Sequence, residues 1–145
     1  MRFMVILKTT PEAEAAALAA GPTEELLNAM GTFNSEMVKA GVLVGGEGLA
    51  PSGTASSVTI SGDDVVVVDG PFAETKELIA GFWLLQVGSQ EEAVEWAKRI
   101  PTAPGDTTRV EVRRIMEAED FGEAFTPEAR AAEDELRDTI AAQHG

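Results

Sequence analysis

Side chains that could carry chemistry gather at three places in the chain. Residues 69–77 read Asp-Gly-Pro-Phe-Ala-Glu-Thr-Lys-Glu, residues 45–49 read Gly-Gly-Glu-Gly-Leu, and residues 109–115 read Arg-Val-Glu-Val-Arg-Arg-Ile. Asp69 follows four valines and opens a turn, where its carboxylate can accept hydrogen bonds from the following amides and anchor the loop. Beside that structural reading stands a catalytic one. A carboxylate at the end of a buried strand, near apolar groups, is suited to general acid or base work, and Asp69 is the best catalytic candidate. Phe72 reads as a core plug, or as the wall of a pocket, since ligand sites are mostly apolar with a few polar groups. Glu74, Lys76 and Glu77 read as a solvated charge cluster, which contributes little to stability. In the sharper reading they form a polar rim in which Lys76 binds an anionic or enolate-like oxygen. Glu47 would then be a base or hydrogen-bond acceptor, its flanking glycines letting a ligand approach the backbone. Arg113 can hold a carboxylate-bearing ligand with both arms of its guanidinium. Its plain reading is an ion pair with a glutamate across strands or across a dimer.

The composition removes several classes of chemistry. The chain has no cysteine, which excludes disulfides, thiolate nucleophiles, zinc-thiolate sites and iron–sulfur clusters. No carboxylate spacing fits a calcium or magnesium loop. Gly45-Gly46-Glu47-Gly48 has neither the phosphate-loop lysine nor the GxGxxG spacing. No metal and no cofactor is therefore expected. A formal charge of −14, with the eleven Lys and Arg scattered along the chain, repels phosphate backbones and anionic lipids. Neither nucleic acid nor a membrane is an expected partner. The first apolar run, residues 3–7, is too short for a signal-peptide core or a membrane span, and a cytoplasmic location is expected.

These groups must be positioned by elements that the apolar pattern predicts. Residues 3–7 form a strand that is apolar at every position, as in strands covered on both faces. Thr10 and Pro11 suit the N-cap and first position of an alanine-rich helix that has little to bury except Leu18 and ends at Gly21-Pro22. A second helix opens at Thr23, carries Leu26, Met30, Phe33 and Met37 on one face, and stops at Gly41. Residues 42–44 begin a strand that runs into the glycines, which imply a bulge or a close backbone approach. Residues 57–60 and 65–68 flank Ser61-Gly62-Asp63-Asp64 and read as a β-hairpin. Residues 82–85 form another strand apolar on both faces. Ser89 to Glu92 is a capping box for a helix that ends at Pro101, with Ala93, Trp96, Ala97 and Ile100 on its apolar stripe and Glu95 and Arg99 paired on its wet face. Trp83 and Trp96 are core residues in this reading. Residues 109–115 alternate cleanly as a strand, and Thr126-Pro127 starts a last helix whose thin stripe, Ala132, Leu136 and Ile140, lies against a surface.

At 145 residues and 44 % hydrophobic content the chain has the size of one domain, with residues 1–116 as its body and residues 117–145 as a helical extension. The element order predicts an α+β fold, a ferredoxin-like βαββαβ sheet with an inserted β-hairpin and an extra C-terminal helix. Both principal helices must cover one sheet face. Because residues 3–7, 65–68 and 82–85 are apolar on both faces, the other face needs a cover that one chain of this length lacks, and a homodimer is expected. Two sheets stacked about a two-fold axis would leave Arg109, Glu111 and Arg113 near the interior or its rim.

Residues 45–49, 69–77, Gly81-Phe82-Trp83 and Val110-Glu111-Val112-Arg113 together resemble the YCII-related, or DGPF-domain, family. The resemblance spans nearly the whole chain, and residues 117–122 are similar to the start of the extra helix in longer members. It implies a dimeric α/β-barrel architecture shared with small cofactor-free monooxygenases, isomerases and dehalogenases, and it names no reaction. The fold hosts many activities. It also implies a second kind of role, association with an extracytoplasmic-function sigma factor. Some relatives are thought to pair a histidine with an aspartate. Here the single histidine, His144, is next to last in the chain and reads as a solvated tail residue, so that pair is not carried over. Two functions follow: a homodimeric small-molecule-binding protein, extending to a cofactor-independent enzyme that uses carboxylates, or a non-catalytic regulatory protein.

Overall fold

Local signals set the element ends. The computed structural model describes residues 1–72 and 74–145. Ala73, in the middle of the 69–77 motif, lies outside the described residues. The chain forms β1 (Arg2–Thr9), α1 (Pro11–Ala20), α2 (Glu24–Lys39), β2 (Leu43–Gly48), β3 (Ser56–Ser61), β4 (Asp64–Asp69), β5 (Leu78–Gln86), α3 (Gln90–Ala97), β6 (Arg109–Arg114) and α4 (Pro127–His144). Short 3-10 helices occupy Ser52–Thr54 and Ala118–Ala124. Thr10, Thr23, Ser89 and Thr126 each cap a helix by accepting a hydrogen bond from the amide three residues on, at 3.1–3.2 Å. The capping box at Ser89 is half formed, because the Glu92 carboxylate accepts from the Gly88 amide at 3.0 Å.

Four strands pair antiparallel in the order β2-β5-β1-β6, which is the ferredoxin-like arrangement expected from the element order. Strand period two then divides the side chains between two faces. Phe3, Val5 and Leu7 of β1 align with Leu85, Trp83 and Gly81 of β5, while Val5 and Leu7 align with Val112 and Val110 of β6. This face packs on Phe33 and Met37 of α2 and on Ala93 and Trp96 of α3 to make the core. Phe3, Val5, Met37 and Leu85 are at most 2 % exposed, and Phe33 meets Trp83 edge-on with ring centroids 5.8 Å apart. The opposite face carries Met4, Ile6 and Lys8 of β1, Phe82 and Leu84 of β5, and Glu111 and Arg113 of β6. Ile6 is 7 % exposed but is not part of the core cluster beneath the helices.

Several expectations change. The hairpin forms in the register expected, with Ser61 opposite Asp64 and positive φ taken by Gly62, but β3 and β4 make a separate two-stranded sheet. Val65, Val66, Val67 and Val68, expected to be buried on both faces, are 60 %, 55 %, 62 % and 52 % exposed. An apolar run shows only that a strand can be covered; β4 has β3 as its one sheet neighbour and no helix over it among the described residues. α1 buries nothing, and Leu18 is exposed like its alanine neighbours. α3 ends at Ala97, and Glu95 and Arg99 do not pair with each other. Glu95 accepts from Lys98 at 2.5 Å, whereas Arg99 reaches across to Glu36 of α2 and lies 4.5 Å over the Trp96 ring. A guanidinium with a carboxylate and an indole face available on packed helices gains more there than from an exposed i, i+4 partner.

The chain divides into two compact units, Met1–Arg114 and Ile115–Gly145. In the second, Phe121 and Phe125 lie 5.6 Å apart, and Arg130 donates to Glu119 at 3.2 Å. Leu136 and Ile140 of α4 are exposed. Among the described residues no helix is long and apolar enough to cross a membrane.

Candidate functional site

The glycine segment of β2 serves two purposes that its composition suggested. The β2–β5 register slips between Leu43 and Gly45, a bulge, and the strands then press together. A Cβ at Gly46 would stand 2.8 Å from the Phe82 carbonyl oxygen, and one at Gly81 would stand 2.9 Å from the Glu47 carbonyl oxygen. Gly81 is opposite Gly48, so two glycines meet across the ladder. Without side chains there, the space between α2 and the end of this strand pair stays open.

That space is a cleft of about 260 Å³, bounded by Met30 and Asn34 of α2, Leu43 and Glu47 of β2, and Phe82 and Trp83 of β5. Its walls are mainly apolar. Asn34 Oδ1 accepts a 2.9 Å hydrogen bond from Trp83 Nε1, which satisfies the buried indole and fixes the amide beside the opening. Glu47 supplies the cleft's one carboxylate and is itself exposed. The combination of apolar walls with a few fixed polar groups is that of a small-ligand site.

The other expected site residues lie elsewhere. Asp69 ends the exposed strand β4, not a buried one, and its Oδ1 accepts from the Ser56 hydroxyl at 3.4 Å. The turn is held by the next residue: the Gly70 amide donates to the Ala55 carbonyl at 2.7 Å, and Gly70 is packed so closely on the Ser52 carbonyl that a Cβ would collide with it. The Gly70-Pro71 peptide is cis. Phe72 is half-buried, and its carbonyl accepts from the Thr75 amide at 3.1 Å. Glu74 and Lys76 are exposed, and Glu77 pairs with Arg109 at 3.5 Å. Of the six candidates, Glu47 alone among the described residues lines the cleft. Arg113 stands on the helix-free sheet face and pairs at 2.7 Å with Glu111 of its own strand, not across strands.

Three contributors carry little signal in the sequence. Glu14 of α1 accepts from both the amide and the hydroxyl of Ser52, at 3.1 Å and 2.6 Å, linking α1 to the 3-10 turn on which Gly70 rests. A serine after a proline suggests a turn with a free amide, but nothing ties it to a glutamate 38 residues earlier. Asn34 sits one position beyond the Phe33 stripe, and only the need of a buried tryptophan for an acceptor points to it. Glu111 lies between Lys8, at 3.9 Å, and Arg113. Its Oε2 is buried and makes an ion pair with Arg113 without a well-directed hydrogen bond. Among the described residues no group of three His, Cys, Asp or Glu could hold a metal ion.

Comparison with known proteins matches the chain to the YCII-related domain over residues 1–119. It is also 34 % identical over 92 residues to an uncharacterized protein of Rhizobium meliloti (strain 1021), a match covering 63 % of this chain and 74 % of that protein.

Proposed function

The chain belongs to the YCII-related family, and on that premise we propose that it is a homodimeric, cytoplasmic small-molecule-binding protein whose ligand enters the cleft at Glu47. The observation that carries this reading is the cleft itself. Its volume of about 260 Å³ is below the range usual for drug-sized ligands, so it suits a compact metabolite. The Glu47 carboxylate selects a neutral or cationic ligand with a hydrogen-bond donor, and a net charge of −14 disfavours anionic ones. If the bound molecule carries an acidic proton, Glu47 is the group placed to remove it, with no cofactor required.

The test is a thermal-shift screen against small neutral, cationic and anionic metabolites, followed by titration of any hit. A hit from the first two classes, lost in Glu47→Ala and kept in Asp69→Ala, is expected. Binding that survives Glu47→Ala, or hits confined to anionic compounds, would overturn the reading. A second reading is favoured by one observation: the described residues of the family's most specific segment, 69–72 and 74–77, are largely exposed and do not line the cleft. That placement suits a non-catalytic regulatory protein contacting an extracytoplasmic-function sigma factor. Direct binding of a purified sigma factor, abolished by substitution of Lys76 and Glu77, would favour it.

A further inference from the structure

The β3–β4 ribbon gathers six exposed large apolar residues, Val58, Ile60 and Val65 to Val68, on two paired strands. On one of its faces Val58 pairs with Val67 and Ile60 with Val65, and these four residues are 56 %, 62 %, 72 % and 60 % exposed. A two-stranded ribbon is marginal in water by itself, and a contiguous apolar patch of this kind on a folded protein marks an interaction surface. Its charged residues, Asp63 and Asp64 at the tip and Asp69 at the base, are all acidic.

The helix-free face of the four-stranded sheet is its complement. Met4, Phe82 and Leu84 are half-buried there, and along the β6 margin Lys8, Arg109 and Arg113 meet only Glu111 and Glu77 as ion-pair partners among the described residues. In a chain of net charge −14, this margin is a place where cations outnumber the anions they contact. Both surfaces are present on every copy, so a two-fold axis can bring each ribbon onto the other copy's sheet and close the assembly.

We propose that the β3–β4 ribbon is a docking arm whose occupant is a second copy of this chain, its Val58, Ile60, Val65 and Val67 face seated on the partner's sheet along the β6 margin, with the ribbon's aspartates facing the partner's Lys8, Arg109 and Arg113. This rests on the homodimer reading above and extends it, because sheet-on-sheet stacking alone leaves the ribbon uncovered. Four side chains exposing on the order of 100 Å² each, contributed twice, add roughly 800 Å² to an interface, about half of a standard one.

The test is sedimentation equilibrium of the full chain at several concentrations, for wild type, Val67→Lys and Arg109→Glu. Both positions are exposed, and circular dichroism checks that both variants fold. The expected result is a wild-type dimer of twice 15.3 kDa, a dissociation constant at least about tenfold weaker in Val67→Lys, and a smaller weakening in Arg109→Glu that disappears at high salt. Should Val67→Lys misfold, Arg109→Glu alone decides the question: a dissociation constant equal to wild type at low salt overturns the proposal. A wild-type dimer with neither variant changed overturns the docking arm and leaves the homodimer reading intact. A wild-type monomer at tens of micromolar overturns both.

Discussion

β5 and β4 are neighbouring strands of one chain, and both are rich in large apolar residues, LIAGFWLLQ in one and DVVVVD in the other. β5 buries Trp83 and Leu85 under two helices, with β1 and β2 on either side. β4 has a single neighbour, and each of its residues is exposed. The difference lies in position within the sheet and in helix cover, not in hydrophobicity. α2 and α3 carry stripes that match the spacing of one sheet face, and among the described residues of the first compact unit no helix presents a second such stripe to the ribbon.

The contrast is sharpest when side chains are truncated. Phe33→Ala, which empties the space against Trp83, is expected to lower unfolding free energy by about 3–5 kcal/mol. Val67→Ala, at a concentration low enough for the chain to be monomeric, is expected to change it by no more than about 0.5 kcal/mol. Urea unfolding of both variants checks the pair, and similar losses would break the comparison.

The next largest effect separates two glycines that face each other. A Cβ at Gly81 meets backbone atoms of β2 that cannot rotate away, whereas one at Gly48 has nothing within 4 Å. Gly81→Ala is expected to cost about 1–3 kcal/mol, with Gly48→Ala near wild type. Glu14→Ala ranks third, at about 1–2 kcal/mol, since it leaves the partly buried Ser52 amide without its acceptor. Faster hydrogen exchange of the Ser52 amide, with the core sheet unchanged, would be its signature.

How far these features were legible follows the same division. The α2 stripe, the helix caps and the alternation of β6 are local patterns, and each appears in the structure where the residues place it. The four valines of β4 and the carboxylate of Asp69 read as parts of a buried strand, but burial depends on which strands and helices lie alongside, and β4 pairs with β3 alone and is exposed. The Glu14–Ser52 bond and the exchange of Glu95 for Glu36 as the Arg99 partner depend on which elements meet in space. Glu47 stands out in the sequence because glycines flank it, and the structure places it in the lining of the cleft beside Gly46 and Gly48.

The smallest effect belongs to the C-terminal unit. Its own backbone amide, and then the Arg130 guanidinium, hold the Glu119 carboxyl below the usual carboxylate value. A folded-state pKa below the unfolded one means that the contribution is present above the ordinary carboxylate range and is lost as pH falls through the lowered value. NMR titration should show the Glu119 midpoint rising part of the way to its ordinary value in Arg130→Ala, because the backbone contribution remains.

The most direct measurement of where β4 finds its cover is an isotope-filtered NOE experiment on a mixed sample of labelled and unlabelled chains, which records contacts between copies only. Cross-peaks joining methyl groups of Val65 or Val67 on one copy to Met4, Phe82 or Leu84 on the other are the predicted result. A dimer whose intermolecular cross-peaks join sheet to sheet while the ribbon valines show none would contradict it.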